Sequence, residues 1–431
     1  MATTGQSEGN VFQNIRPINK DTYTFTLSPT DVAFANTLRR LIITGIETIA
    51  FRSDMNEMGS TTDVEILKNS TPMTNEMLAD RIGLLPIHVA DPTLFDPNKY
   101  IFRLSVTNDS ADPRDVTASD IEVFQVNEDG EETKVPNVQF FPPDPVSGET
   151  SLLAVLKGKR AGTPAETVEF RAKASRGTGR EHARFIPIAQ CAYRYTRDSD
   201  EERILKMMEE WMVKKKYLKP GQELKSLEAD KLAVYKREYA TMEIDRCFLQ
   251  DENGDPYSYD FIVETVGSMT VPSIIKRALE AGVSMCQKYI NVDREKLPLN
   301  VKENPAANRL EGFDYTFEKE DHTLGNLLGS YIEKYLMDGT KVTFVGYKVP
   351  HPLRDEMVLR IGVAGEAIAA RQVLAEAAKG CVAMFTGWLE AWKAATGEAA
   401  AVAPRPTVIR GQKVMVKKAA PGAKKSATKI G

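Results

Sequence analysis

The sequence predicts an α+β fold. Two related half-units, each a small sheet plus two amphipathic helices, are expected to form an intramolecular pseudo-dimer, with a β-rich domain inserted in the first half. Three observations carry this expectation. An alternating strand followed by an amphipathic helix stands near the start and again after residue 312. Both copies carry Asp, Asn and Leu at one spacing: Asp31, Asn36 and Leu38, then Asp321, Asn326 and Leu328. Between the copies runs a stretch rich in Pro, Gly and β-branched residues with turn signals.

In the first copy, 22–27 reads TYTFTL, the period of a half-buried strand. Ser28, Pro29, Thr30 and Asp31 then offer N-cap chemistry with an early proline. Phe34, Leu38, Leu41, Ile42 and Ile46 follow on one helix face. A short helix is expected at 72–82, started by Thr71 and stopped by Gly83. Alternating runs at 121–126 and 167–170 mark the β-rich module. From 199 to 240 the pattern is helical and highly charged, and Ile204, Met207, Met208, Trp211 and Met212 form a packing stripe.

The run from Asp251 to Pro256 reads as a hairpin turn. It begins like a calcium loop, but Pro256 and Ile262 stand where that loop needs Gly and a bidentate Glu, so calcium is excluded. A strand at 259–264 and a helix at 272–290 follow, the helix burying Ile275, Leu279, Cys286 and Ile290. The second copy is read as strand 313–317, helix 323–336, strands 340–349 and 357–363, and helix 366–394. This last helix buries Leu374, Cys381, Phe385, Trp388 and Trp392.

The expected divisions are a disordered N-terminus at 1–11, a first half at 12–60 and 241–297, and a second half at 312–395. The insertion is expected at 61–240, with a helical extension at 199–240. A linker is expected at 298–311 and a disordered basic tail at 396–431. Neither half covers its own helices, so packing the halves together makes a shared helical core. Phe34, Leu41, Ile275, Leu279, Leu324, Leu328 and Trp388 are its predicted members.

Composition bounds the function. The 431 residues are 42% hydrophobic and 27% charged, with a formal net charge of -4. That average hides an asymmetry: after Glu398 come eight basic residues and no acidic one, while the body is net -12. The tail reads either as a solvated segment or as a weak nucleic-acid or acidic-partner arm. The most apolar stretch, 41–51, carries Glu47 and is far short of the roughly 20 residues a membrane span needs, so no membrane association is expected. Residues 1–10 hold no apolar signal core. The four cysteines lie at least 39 positions apart, which excludes a CxxC zinc ribbon and points to an intracellular, reducing compartment.

Catalytic signatures are missing. There is no phosphate-binding GxxxxGK[ST] loop, no HExxH and no nucleophile elbow. His88, His182, His322 and His351 are scattered, and the last two suit capping or loop roles. The expectation is a chain that builds an assembly, with no catalytic residue, cofactor or metal of its own.

Several segments resemble one family. DVAFANTLRR at 31–40 resembles the AN-LRR helix of the polymerase assembly subunits: the bacterial alpha N-terminal domain, the archaeal D-type protein and the third-largest subunit of eukaryotic RNA polymerase II. NEMLADRIGLLP at 75–86, AKASRGTGREHARF at 172–185 and 259–267, with Glu264 and Gly267, resemble further motifs of that family. FEKEDHTLGN at 317–326, FVGYKVPHPL at 344–353 and VLR at 358–360 resemble the eleventh subunit of RNA polymerase II and the archaeal L-type protein. Having both in one chain is similar to the arrangement in large eukaryotic DNA viruses, which would place the protein in a virion or in the host nucleus or cytoplasm.

The resemblance implies a non-catalytic scaffold of a multisubunit DNA-directed RNA polymerase, a heteromeric complex. Its partners would be the two large catalytic subunits and the small polymerase subunits. The implied partner contacts are Asp31, Asn36, Leu38, Arg39, Arg40, Arg81, Arg176, Arg180, Arg184, Asp321 and Asn326. Arg39 and Arg40 would meet the second-largest subunit, although adjacent helix arginines also suit a solvated face. The five basic residues in 171–184 suit a partner contact or simply a charged hairpin. Asp80 departs from the family, which commonly has His there, and the cysteines of a zinc loop or iron–sulfur domain are missing, so no metal is implied.

Overall fold

The computed structural model describes residues 10–53, 63–222, 224, 227–306 and 310–397. The expected N-terminal segment up to residue 9 and the basic tail from 398 lie outside the described residues.

The chain opens with the antiparallel pair β1 (Phe12–Pro17) and β2 (Thr22–Leu27), followed by α1 (Val32–Thr44) and β3 (Glu47–Ala50). The insertion then supplies β4 (Val64–Asn69), α2 (Asn75–Gly83), β5 (Tyr100–Asn108), β6 (Arg114–Thr117) and β7 (Glu122–Val126). It continues with β8 (Glu132–Val135), β9 (Leu152–Leu156), β10 (Glu166–Ala172) and β11 (Ser175–Thr178). Next come β12 (Ile188–Tyr195), α3 (Glu201–Lys214), α4 (Ala229–Met242), β13 (Tyr259–Thr265) and α5 (Val271–Gln287). The second half is β14 (Val301–Pro305), β15 (Phe313–Glu318), α6 (His322–Tyr335), β16 (Val342–Lys348), β17 (Glu356–Val363) and α7 (Ala367–Thr396).

Sheet order exposes the repeat. The first half pairs as β1-β2-β13-β12 and the second as β14-β15-β17-β16. Each half therefore reads strand, strand, helix, strand, strand, helix. The first differs only by chain inserted after α1 and between β12 and β13.

This topology corrects two expected boundaries. The segment 298–311 is not a plain linker, because β14 pairs along β15 from Val301↔Phe317 to Pro305↔Phe313. Its sequence VKENP is polar after Val301, so no alternation announces a strand. The expected insertion 61–240 also contains β12, which closes the first half's sheet against β13 from Ile188 to Tyr195. The helix expected from 72, with Thr71 as its start, begins instead at Asn75. Thr71 is bound by Asn69, and Thr74 accepts the Met77 amide as N-cap.

The expected cap at Asp31 is also corrected. Asp31 precedes α1 with extended backbone, but its carboxylate makes no cap bond. Asp321, its counterpart before α6, does cap, accepting the Thr323 amide at 2.7 Å.

Among the described residues three separate cores result. The largest buries α1, α5, α6 and α7 together with one face of both half-sheets. Phe34, Leu41, Ile275, Leu279, Leu324, Leu328 and Trp388 all lie in it. Phe12 of β1 meets the rings of Trp388 and Trp392 edge-on at 6.3 and 5.0 Å, and the Trp392 indole N–H donates to the Pro272 carbonyl. Cys286 of α5 and Cys381 of α7 are fully buried in the same core, and hydrogen bonding from Cys286 together with burial pushes the Cys381 thiol up. A second core fills the insertion, and a third, around Met208, Trp211, Met212, Leu218 and Tyr239, holds α3 against α4.

The helices α5 and α7 pack tightly at Gly282, where an added Cβ would meet the Phe385 ring at 3.0 Å. Small residues on α7 are buried as well, among them Ala375, Ala377 and Ala378. Gly282→Val is therefore expected to destabilise the protein by about 1–3 kcal/mol through overpacking. Chemical denaturation of the variant beside the parent measures this, and equal stability would show that the crossing has slack.

Candidate assembly interface

The seam between the halves is crossed by two ion pairs that start from equivalent positions. Asp31, before α1, receives both bonds of the Lys334 ammonium from α6, at 2.6 and 2.7 Å. Asp321, before α6, receives the Arg40 guanidinium of α1 at 3.2 Å, and Arg40 Nε donates to Thr323 Oγ1 at 2.7 Å. Each half thus offers a helix-start carboxylate to the first helix of the other, the reciprocity of a two-fold contact. The symmetry is broken by about one helical turn: the cation follows the aspartate by nine residues in α1 and by thirteen in α6.

A third link runs from the β11–β12 connection. Arg180 donates to Asp355 at 2.9 Å and stands 3.9 Å from Glu320. Glu320 is nearly fully buried, with Lys288 at 3.6 Å and the Tyr289 hydroxyl donating at 3.3 Å. Burial pushes the Glu320 carboxyl up, opposed in part by Lys288 and Arg180. Burial also acts on neighbouring Asp321, but the Thr323 hydrogen bonds and the Arg180 and Arg40 charges outweigh it and hold that carboxyl below its usual range.

The loop carrying Arg180 is tightly placed. At Gly179 an added Cβ would lie 2.5 Å from the Ile43 carbonyl of α1, so only glycine permits this approach. Arg176 donates to the Thr93 and Phe95 carbonyls, and Arg184 to the Phe51 carbonyl and Ser53 Oγ. Ser53 Oγ in turn donates to Asp80 at 2.6 Å, so the aspartate that departs from the family pattern has a local partner. Arg277 of α5 reaches Asp91 at 2.6 Å, tying the insertion to the seam.

These contacts redistribute the predicted partner residues. Leu38 is fully buried in the shared core and cannot touch another molecule, which corrects that expectation. Arg40, Asp321 and Asp31 are engaged across the seam, and Arg176 and Arg184 bind backbone within the chain. Arg81 Nε donates to the Leu152 carbonyl. Asn36 accepts from Arg39 Nε at 2.9 Å, and Asn326 is half-buried on α6. Arg39 borders a shallow cleft of about 520 Å³ with Tyr193, Tyr195 and Asp245. His351 Nδ1 accepts the Leu353 amide, a loop role.

A family model described as the RNA polymerase Rpb3/Rpb11 dimerisation domain matches residues 24–286, more than half of the chain. The chain belongs to the Rpb3/Rpb11 dimerisation family. A second model of the same description matches residues 313–390, so two Rpb3/Rpb11 dimerisation domains stand in one polypeptide. DNA-directed RNA polymerase subunit Rpo3 of Pyrococcus horikoshii is 25% identical over 283 residues, covering 63% of this chain and 93% of that protein. DNA-directed RNA polymerase II subunit RPB11 of Schizosaccharomyces pombe is 43% identical over 67 residues, 16% of this chain and 50% of that protein. DNA-directed RNA polymerase II subunit rpb3 of Dictyostelium discoideum is 26% identical over 202 residues, 42% of this chain and 56% of that protein.

Within this Rpb3/Rpb11 pair, sequence reasoning missed Lys334, Thr323, Glu320, Asp355 and Lys288. Thr323 and Glu320 sit inside the family motif at 317–326, which was the available signal. Lys334 and Asp355 carry none beyond their charge. Among the described residues no cluster of three or more His, Cys, Asp or Glu could hold a metal ion, and no helix is long and apolar enough to cross a membrane.

The adjacent arginines should separate cleanly. Arg40→Ala removes a charge-assisted contact and leaves Asp321 half-buried, so a loss of about 1–2 kcal/mol is expected after discounting for solvent screening. Arg39→Ala should stay within about 0.5 kcal/mol of the parent. Urea unfolding of both variants checks this, and equal losses would contradict the assignment.

The two adjacent carboxyls predict opposite pH dependences. Asp321, with its folded pKa depressed, contributes stability above the unfolded value that is lost as pH falls through the folded one. Glu320, with its folded pKa raised, disfavours the folded state increasingly as pH rises above the unfolded value. Glu320→Gln keeps the Tyr289 acceptor and removes the charge. The stability of this variant relative to the parent should therefore grow from pH 4 to pH 7. A difference that is flat across that range would remove Glu320 from the account.

Proposed function

We propose that this chain is a non-catalytic assembly subunit of a multisubunit DNA-directed RNA polymerase. Its two dimerisation domains form one alpha-like platform on which two large catalytic subunits assemble for transcription. The reciprocal seam carries the reading: each half supplies a helix-start carboxylate and a cation to the other, and their helices share one core. The relatives carry polymerase subunit names, which supports the same assignment. The lack of a recognisable catalytic motif agrees with a scaffold role.

Arg39 is the strongest candidate for a large-subunit contact on α1. Its guanidinium donates to no carboxylate among the described residues, and it borders the open cleft beside Tyr193 and Tyr195. A guanidinium so placed suits a carboxylate of a partner. Small polymerase subunits would complete the complex, and the basic tail would add a weak nucleic-acid contact. A viral setting, with the complex in a virion or in the host nucleus or cytoplasm, fits the single-chain arrangement.

Affinity purification of the tagged chain from its native cells should recover two large polypeptides. Arg39→Glu should fold normally, judged by its melting temperature, yet recover markedly less of them. Undiminished recovery would take Arg39 out of the interface, and absence of large partners from the parent would defeat the assembly reading itself.

A further inference from the structure

The α3–α4 hairpin takes no part in the seam and has a core of its own. Both helices leave from the β12–β13 end of the first half's sheet, so their connecting turn is distal. The 14 residues of α3 place that turn about 20 Å from where the helix starts. Lys214, Lys215, Lys216 and Lys219 stand there, all exposed. No carboxylate occurs in residues 211–222, and none of the four ammonium groups pairs with one among the described residues.

Helix stability does not account for this cluster. The macrodipole favours cations in the last turn, which covers Lys214 and Lys215. Lys216 and Lys219 lie beyond it. The helix ends in a Schellman motif, with the Tyr217 amide donating to Met212 and the Lys216 amide to Val213. Its left-handed position, where glycine is usual, is held by Lys216 at φ 63°. A lysine there is strained by its own Cβ, and its ammonium makes no ion pair among the described residues.

The start of the turn is packed against the hairpin core. Leu218 is buried in the hairpin core, and Tyr217 stacks on Tyr235 with ring centroids 4.2 Å apart. Four exposed like charges thus fall within six residues of a protein whose body is otherwise acidic.

We propose that this lysine turn binds the phosphate backbone of a nucleic acid without reading its bases. Several exposed ammonium groups in one turn suit a chain of singly charged phosphates and gain by releasing its counterions. An acidic protein surface would be better served by guanidinium forks around a desolvated apolar centre, and the turn offers neither. The inference rests on the polymerase reading only in that a transcribing complex brings nucleic acid within reach.

The test is fluorescence anisotropy of the full-length chain with a labelled duplex DNA and a labelled RNA, each titrated over a range of salt. In one variant Lys214, Lys215, Lys216 and Lys219 are all changed to Gln. It should bind at least one probe about tenfold or more weakly at low salt, and the log–log salt slope on duplex should fall by about 0.9 for every phosphate no longer neutralised. The basic tail is present in parent and variant, so the difference reports the turn alone. Lys216→Gly should melt higher than the parent while binding more weakly, a combination that a purely structural lysine would not produce. Unchanged affinity and slope in the folded quadruple variant would overturn the proposal. So would retained nucleic-acid affinity together with loss of a co-purifying protein. Recovery of the large polypeptides with the quadruple variant reads assembly separately, so the two conclusions can fail independently.

Discussion

Everything in this molecule depends on helices that neither half can bury alone. A four-stranded sheet covers one side of α1 and α5, or of α6 and α7, and leaves the other side apolar. Each fully buried Leu, Ile or Phe contributes about 1.5–3 kcal/mol, so closing the two helical layers on each other dominates the stability of both halves. The crossed ion pairs at the rim add far less energy. Their role is register: a carboxylate at each helix start meets a cation from the other half only when the helices are correctly aligned.

The seam concentrates opposing electrostatic environments. Glu320 and Asp321 are adjacent in sequence, yet burial governs the first and hydrogen bonds with nearby cations govern the second. Arg180 reaches towards both from a loop that belongs to the first half's chain, so the charge balance of the second half's helix start is set largely by the first half. The insertion is tied into this arrangement through Arg277 of α5 to Asp91.

Much of the helical architecture was legible because its signals are local. Leu324, Leu327, Leu328 and Ile332 repeat at helical spacing and are all buried, and Asp321 caps the helix as its position suggests. The repeat of Asp, Asn and Leu pointed to equivalent helices. What escaped was long-range. Membership of β12 in the first sheet depends on pairing Cys191 with Val263, and β14 is a polar edge strand recognised only by its neighbour β15. Arg40 reads in the sequence as a contact to another subunit, or as a solvated charge, because its partner within the chain lies 281 residues away. Leu38 was placed among partner contacts by a shared motif, although its own periodicity already put it on the buried face.

The contact of Phe12 with Trp388 and Trp392 has a consequence for biosynthesis. β1 packs on α7, so the ribosome must translate all of the chain between them before β1 meets this neighbour. Until α7 emerges, α5 presents its apolar stripe and the Gly282 notch to solvent. The nascent first half therefore passes through a vectorial waiting state with exposed hydrophobic surface, a natural client for holding chaperones. Once translation is complete, supply of the two halves is equal by construction, because each copy of one arrives covalently joined to a copy of the other.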